Sequence, residues 1–186
     1  MPDLAWDGGV NVRDLGGLPA DGGAVITEHD GAERVGLEVV SAPLFRQDDE
    51  AFAAAARATP GWPAFYRLVV ETRSEYVAAA VGAVADAEPG GVLVHCMAGK
   101  DRTGIVCALS LSLAGVSDEE IGADFAASGD ALRPIFENPE DADIEPELIL
   151  DTLALLRRRH GSVKAYLLDA GLEPVQIERL RKRLLA

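Results

Sequence analysis

The chain has 186 residues, a length typical of one domain, and we expect a single domain over residues 1–186. Hydrophobic residues make up 48% of the chain, which excludes a disordered protein. The net charge of −14 disfavours binding to nucleic acid or to an anionic membrane. No stretch reaches the roughly 18 apolar residues of a membrane span. Two cysteines and no signal-peptide pattern predict a cytoplasmic location, although export by another route stays open.

The first half of the chain alternates turn-rich and regular segments. Glycine and aspartate predict turns near the N-terminus, β-branched runs predict strands, and helical spacing of apolar residues predicts helices. The predicted elements are turns over 1–23, strands over 24–27 and 37–44, a helix over 48–58 ended by the break at 60–63, and a helix over 65–87 with one interruption.

The second half contains one more strand and is otherwise helical. Ser117 and Glu120 form a capping-box pattern, which predicts that a helix begins between them. The predicted elements are a strand over 92–95, helices over 103–114 and 117–127, an acidic loop over 138–147, and helices over 148–160, 162–170 and from 173 onward. This order predicts an α/β domain with a central, partly parallel sheet flanked by helices, and a helical C-terminal half.

The stretch VLVHCMAGKDRTG combines a predicted strand, a loop and the start of a helix. A loop that enters a helix points several backbone N–H groups into one concavity, and the helix dipole makes that concavity positive. Gly99 permits loop conformations that a side chain would hinder. Arg102 can bind two phosphate oxygens at once. The sequence therefore predicts a phosphate site formed by Met97, Ala98, Gly99, Lys100, Arg102 and Thr103.

Cys96 is the candidate nucleophile, because the same positive field favours its thiolate form. The hydroxyl of Thr103 can donate a hydrogen bond to that sulfur. Attack on phosphorus would form a phosphocysteine, which water hydrolyses to inorganic phosphate. Backbone amides and Arg102 carry the charge of the transition state, so we expect no metal ion and no other cofactor.

Asp101 is the candidate general acid that protonates the leaving oxygen. Its alternative role is that of a structural partner for Lys100 or Arg102. Lys100 is expected to contact substrate or phosphate, and its alternative is a solvated side chain at the tip of the loop.

Three further residues are expected to support the loop. His95 would stiffen it by hydrogen bonding. Arg13 and Asp14 would brace it from the N-terminal segment, and an internal ion pair unconnected to the site is the open alternative for these two.

Spacing argues against two other kinds of site. A nucleotide-binding P-loop needs a glycine five residues before Gly99, where this chain has Val94, and a hydroxyl residue after Lys100, where it has Asp101. A redox pair needs Cys107 close to Cys96, whereas Cys107 falls inside a predicted helix, where a small core residue is the simpler interpretation.

The motifs VHCMAGKDRTG and NVRDLGG resemble the bacterial and fungal family of protein-tyrosine/serine phosphatases with an HCxxGKDRTG loop. Some members of that family act on phosphoinositides. The resemblance extends to Phe65-Tyr66 and to residues 115–125 and 161–171. It implies the cysteine-phosphatase α/β fold.

The resemblance implies that Cys96 is the nucleophile, that Arg102 binds the phosphate and that Asp101 serves as the acid. Related phosphatases carry the acid on a Trp-Pro-Asp loop, but here Ala64 follows Trp62-Pro63, and Trp62 is interpreted as a packing residue. The chain departs from the family pattern after Ile26, where a segment that normally supplies a strand of the central sheet is absent. Such a loss would expose the edge of a neighbouring strand.

The sequence thus predicts a metal-independent protein-tyrosine phosphatase, with dual-specificity or phosphoinositide activity open. Its partners would be a phosphorylated protein or a phosphoinositide, without nucleic acid and without stable membrane insertion. One alternative is a catalytically impaired module that binds phosphate or a phosphoprotein. A sulfurtransferase or arsenate reductase is the other, and a reductase would need an accessible Cys107.

Overall fold

The structure is a computed structural model that describes residues 23–27, 38–46, 48–134 and 144–185. The N-terminal motif with Arg13 and Asp14 lies outside these residues, as does most of the acidic loop predicted over 138–147. The described part is mostly helical, and its elements are β1 (Gly23–Thr27), β2 (Glu38–Ser41), α1 (Glu50–Arg57), α2 (Trp62–Thr72), α3 (Ser74–Asp86), β3 (Gly91–Val94), α4 (Asp101–Ala114), α5 (Asp118–Leu132), α6 (Pro146–His160), α7 (Val163–Asp169) and α8 (Pro174–Leu184).

The three described strands form one sheet in the order β2-β1-β3. Both pairings are parallel, with Val25 opposite Val39 on one side and opposite Leu93 on the other. Because parallel strands end at the same edge of a sheet, the loop after β3 leaves from the edge where β1 and β2 also end. Among the described strands, β1 has a neighbour on both sides, whereas β2 and β3 each pair with β1 alone.

The helix α4 is the centre of the helical layer. It packs against α3, α5, α6, α7 and α8, which explains why it is apolar on most of its circumference. Gly104 lets the first turn of α4 approach α5 closely, because a Cβ at this position would lie 2.6 Å from the Phe125 ring. The buried side chains that α4 contributes to the core include Ile105, Val106, Leu109 and Leu113.

The predicted helix over residues 65–87 is two helices, α2 and α3, and the expected interruption lies at Arg73. The prediction that residues 60–63 all belong to a break was wrong for Trp62 and Pro63, which begin α2. Proline is well suited to the first turn of a helix, since its missing N–H has no intrahelical partner there. The break is therefore restricted to the residues before Trp62.

The capping box at Ser117 and Glu120 is confirmed, with both reciprocal hydrogen bonds formed. The helix that it begins, α5, extends to Leu132, beyond the predicted end near residue 127. Pro146 begins α6 two residues before the predicted start, again because proline fits a first helical turn. Ser162 caps α7 by accepting a hydrogen bond from the Ala165 N–H at 2.9 Å.

Arginines near helix ends join the C-terminal helices to the rest of the molecule. Arg157 forms a bidentate ion pair with Asp118 at the start of α5. Arg183 donates to backbone carbonyls that follow α3, including that of Gly90 at 3.0 Å. Arg157 lies in the last turn of α6 and Arg183 bonds the carbonyls after α3, so both cations are near the partial negative charge of a helix C-terminus.

None of the described helices has the length and apolar content needed to cross a lipid bilayer.

Candidate active site

Cys96 lies in the loop that connects β3 to α4. Its residue is only 4% exposed, so the thiol lies at the base of the loop rather than at its surface. Gly99 has a φ of +72°, a left-handed conformation that favours glycine, as the loop geometry predicted. His95 Nδ1 donates a hydrogen bond to the Cys96 carbonyl oxygen at 2.9 Å, since that oxygen can only accept. The backbone around Cys96 is thus held from within the loop.

The loop ends directly at the first turn of α4. Lys100 occupies the N-cap position, and no side chain among the described residues caps the helix there. The first N–H groups of a helix have no intrahelical partners, and this end carries a partial positive charge. Asp101 and Arg102 are the first two residues of α4. An anion bound at this helix end would meet its N–H groups, and Arg102 belongs to the same first turn.

Lys100 is 8% exposed, so its interpretation as a solvated side chain is wrong. Its ammonium nitrogen lies 5.5 Å from the ring centre of Trp62, within the range of a cation–π interaction. Trp62 also makes an edge-to-face contact with Phe65, yet it remains 44% exposed. Packing therefore accounts for only part of the Trp62 side chain, and the remainder forms an exposed aromatic surface beside the loop.

The guanidinium of Arg102 lies over the ring of Phe45, with Cζ 5.1 Å from the ring centre. Phe45 is itself held between two other rings, stacked on Phe52 at 4.6 Å and edge-on to Phe65 at 6.2 Å. A planar guanidinium that stacks on an aromatic face directs its N–H groups outward from the ring edge, where they can bind oxygens. Phe45 was absent from the predicted site, because nothing in its local sequence indicates a contact with residue 102.

Asp101 is joined to a residue far away in sequence. The hydroxyl of Tyr66 on α2 donates a hydrogen bond to Asp101 Oδ1 at 3.0 Å. Tyr66 is fully buried, and its ring is enclosed by edge-to-face contacts with Phe65 and Phe125. The Phe65-Tyr66 pair was noted only as part of the resemblance, and its connection to Asp101 required the tertiary structure.

Burial raises the pKa of Asp101 above its ordinary value, and the charges of Lys100 and Arg102 and the hydrogen bond from Tyr66 oppose that rise. A carboxyl group with a raised pKa is better able to hold a proton near neutral pH. Burial, followed by the charge of Asp101, raises the pKa of Tyr66 well above its usual range, so Tyr66 stays protonated.

The structure contradicts the contact predicted for Thr103 and agrees with the helical position predicted for Cys107. The Thr103 hydroxyl is buried without a hydrogen-bond partner among the described residues, so the expected bond to Cys96 is not formed. Cys107 is half-buried in α4, and burial raises the pKa of its thiol to about 11. Because the thiolate is the reactive form, Cys107 is poorly suited to exchange with Cys96.

The remaining predicted residues lie in the loop or outside the described part. Met97 is 36% exposed at the rim, and Ala98 is half-buried beside it. Arg13 and Asp14 cannot be related to the loop, since they lie outside the described residues. In the described part of the chain, no three His, Cys, Asp or Glu side chains come together as metal ligands.

Comparison with known proteins identifies relatives of this chain. It is 32% identical over 120 residues to the triple specificity protein phosphatase PtpB of Mycobacterium tuberculosis, an alignment that covers 50% of this chain and 44% of PtpB. It is 34% identical over 124 residues to a tyrosine-protein phosphatase of Nostoc commune, which covers 54% of this chain and 41% of the relative. The aligned parts are thus less than half of the length of either relative.

The model of a tyrosine phosphatase family matches residues 27–186, which include the Cys96 loop and all helices described above. This match covers most of the chain, and we conclude that the protein belongs to the tyrosine phosphatase family.

Proposed function

We propose that residues 1–186 form a single phosphatase domain that hydrolyses phosphate monoesters without a metal ion, with phosphotyrosine in proteins as the main substrate. The proposal includes the cysteine-phosphatase α/β fold, in which helices cover both faces of a central sheet. The composition favours a cytoplasmic setting for this activity. Membership of the tyrosine phosphatase family supports the reaction class.

One observation carries the proposal. The buried Cys96 precedes a helix whose N-terminus is not capped by any side chain in the described part of the chain, and Arg102 is in the first turn of that helix. A phosphate group carries two negative charges near neutral pH and needs both N–H donors and a guanidinium to replace its hydration. This combination favours an anionic phosphate ester over a neutral substrate.

The proposed reaction has two steps. The thiolate of Cys96 attacks phosphorus in line with the ester bond, the S–P bond forms, and the P–O bond to the leaving group breaks. Asp101 gives its proton to the departing oxygen. Water then attacks the phosphocysteine, Asp101 accepts a proton from that water, and inorganic phosphate leaves with the thiolate regenerated. Lys100 and Arg102 offset the charge on the phosphoryl oxygens throughout.

The surroundings of the loop favour an aromatic ester. Trp62 presents an exposed face beside Lys100, and Met97 is exposed on the loop itself. A phenyl ring attached to phosphate can stack on an aromatic face or contact a thioether, whereas a serine side chain is too short to gain as much. One relative is named a triple specificity phosphatase, which indicates that a related site can accept more than one kind of substrate. We therefore include phosphoserine, phosphothreonine and phosphoinositides in the proposal as secondary substrates.

The test compares Cys96→Ser with Cys107→Ser on a phosphotyrosine peptide. We expect Cys96→Ser to abolish release of inorganic phosphate and Cys107→Ser to retain activity within about threefold, because only Cys96 precedes the helix N-terminus. Acid quenching of the wild-type protein during turnover should trap a phosphorylated cysteine, detectable by mass spectrometry, that the Cys96→Ser variant lacks.

The same assay separates the proposal from its alternatives. Wild-type activity retained in Cys96→Ser would refute the nucleophile. Binding of the phosphopeptide without any phosphate release by the wild-type protein would favour a binding module. Turnover of thiosulfate or arsenate in place of the phosphopeptide would favour the sulfurtransferase or reductase alternative.

A further inference from the structure

Tyr66 is buried, and its hydroxyl donates a hydrogen bond to Asp101, a titratable group in the candidate site. Its hydroxyl lies 3.0 Å from Asp101 Oδ1, and its residue has no solvent exposure. Phe65 and Phe125 contact the ring edge-to-face with centroid distances of 6.4 and 6.3 Å. The ring is therefore fixed from two sides, and its hydroxyl is held in one position relative to α4.

The direction of this hydrogen bond follows from chemistry. The Tyr66 hydroxyl stays protonated, because burial and the nearby Asp101 charge both disfavour the phenolate. The O–H therefore points at the carboxyl oxygen in both protonation states of Asp101. When Asp101 is protonated, its own proton is then placed on the second oxygen, which leaves that oxygen as the donor to a substrate.

We propose that Tyr66 is a positioning residue for Asp101, which fixes one carboxyl oxygen as an acceptor and leaves the other to deliver the proton to the leaving group. This inference rests on the proposed phosphatase function. In the first step the proton moves from the free Asp101 oxygen to the ester oxygen as the P–O bond breaks. The Tyr66 proton stays on Tyr66 and stabilises the carboxylate that forms.

The second effect of Tyr66 is on the ionisation of Asp101. The groups that face this carboxyl are Lys100 and Arg102, which flank it in sequence, and Tyr66 from α2. All three favour the carboxylate, whereas burial favours the neutral acid. Asp101 must give a proton in one step and accept one in the next. A donor that partly offsets burial keeps both forms accessible.

Tyr66→Phe removes only the hydroxyl and keeps the ring contacts. The matched control is Tyr166→Phe, because Tyr166 is also buried and donates a hydrogen bond, but its acceptor is the Val70 carbonyl oxygen at 2.8 Å. We expect Tyr66→Phe to lower kcat on phenyl phosphate about tenfold, which is part of the 10²–10⁴-fold effect of general acid catalysis. Activity on p-nitrophenyl phosphate should change less than about twofold, because its leaving group needs little protonation.

The pH dependence of phenyl phosphate turnover separates a positioning role of Tyr66 from a purely structural one, because a structural role would leave that dependence unchanged. Loss of the hydrogen bond that favours the carboxylate leaves Asp101 protonated to higher pH. The alkaline limb of the profile on phenyl phosphate should therefore shift to higher pH in Tyr66→Phe and stay in place in Tyr166→Phe. In an Asp101→Asn background, the further change Tyr66→Phe should cause no additional loss, since the group on which it acts is gone.

A measurement without turnover separates this inference from the proposed function. Carbon-13 NMR of the Asp101 carboxyl in the free protein should titrate at higher pH in Tyr66→Phe than in the wild type. An unchanged titration, or equal losses with and without the Asp101 carboxyl, would overturn the role of Tyr66 while the Cys96→Ser result stands. If Cys96→Ser leaves turnover intact, the phosphatase proposal fails and this inference fails with it.

Discussion

The two ends of α4 differ in the contacts that satisfy their backbone N–H and carbonyl groups. At its N-terminus no described side chain caps the helix, and the last residues before it form the Cys96 loop. At its C-terminus Gly115 adopts a left-handed conformation, and the Val116 N–H bonds back to the Leu111 carbonyl at 3.1 Å. Arg181 on α8 donates to the Leu113 carbonyl oxygen at 2.5 Å.

This difference separates the role of the helix in binding from its role in folding. The positive end has no side-chain cap from residues 23–27, 38–46, 48–134 or 144–185, which suits the binding of an anion. The negative end is closed by a glycine turn and by a cation, which satisfy its carbonyls permanently. Changes to Asp101 and Arg102 at the first end should therefore alter activity more than stability, whereas changes at the second end should alter stability alone.

Among changes in α4, Arg102→Lys should give the largest effect on activity. Lysine keeps the positive charge but lacks the planar fork that binds two oxygens and stacks on Phe45. We expect kcat/KM on p-nitrophenyl phosphate to fall about 10²–10³-fold, as for loss of a transition-state donor. Arg57→Lys, at an exposed arginine that ends α1, is the control and should behave like the wild type. Activity of Arg102→Lys within threefold of the wild type would contradict the phosphate-binding role.

Asp101→Asn should lower turnover of phenyl phosphate about 10²-fold, because the amide cannot supply the proton. The same substitution should increase the free energy of unfolding relative to the wild type as the pH rises. A carboxyl with a raised pKa in the folded state binds protons more tightly there than in the unfolded chain. As the pH rises from the ordinary carboxyl pKa through the raised one, the wild type therefore loses stability that the asparagine variant keeps.

Urea unfolding of wild type and Asp101→Asn between pH 4 and pH 8 tests this sign. The free energy of unfolding of the variant relative to the wild type should increase with pH across that range. Asp130→Asn, an exposed position on α5, should show no such trend. A difference that falls as the pH rises would contradict the raised pKa of Asp101.

Gly104→Ala tests packing within the first turn of α4. The new Cβ would overlap the Phe125 ring, which lies 2.6 Å from its position. We expect a loss of about 1–3 kcal/mol in the free energy of unfolding, as for other overpacked cores. Adding Phe125→Leu should recover part of that loss in thermal or urea unfolding. Equal stability of Gly104→Ala and wild type would show that α5 moves away at little cost.

Gly115→Ala changes the other end of α4. The φ of +91° is strained for alanine, and we expect a loss of about 1–2 kcal/mol. Activity per folded molecule should be unchanged. Reduced kcat together with unchanged stability would contradict the separation between the two ends of the helix.

Arg181→Met should give the smallest change. The methionine keeps apolar contacts and removes the hydrogen bond to the Leu113 carbonyl, which predicts a loss of about 0.5–1.5 kcal/mol. Thermal unfolding measures the loss, and turnover of p-nitrophenyl phosphate should stay at the wild-type level. A variant with normal stability would show that water replaces the arginine at this carbonyl.

Local patterns in the sequence predicted most helix and strand positions well. The Ser117 capping box, the stop at Gly115 and the interruption between α2 and α3 depend on residues a few positions apart. The predicted end of α5 was wrong, because the helix continues past Gly129 to Leu132, whose side chain is buried. The start of α2 was wrong because a proline can begin a helix as well as end one.

The amino-acid sequence alone determines which chemical groups lie in the loop after β3 and in the first turn of α4. The order of Cys96, Gly99, Asp101 and Arg102 is local, since backbone geometry and helix polarity act over neighbouring residues. Tertiary structure decided what surrounds them: Tyr66 meets Asp101 across 35 residues, and Trp62 and Phe45 lie against Lys100 and Arg102. Those contacts arise because burying distant apolar side chains brings separate helices together, and burial sets the proton affinity of the groups enclosed between them.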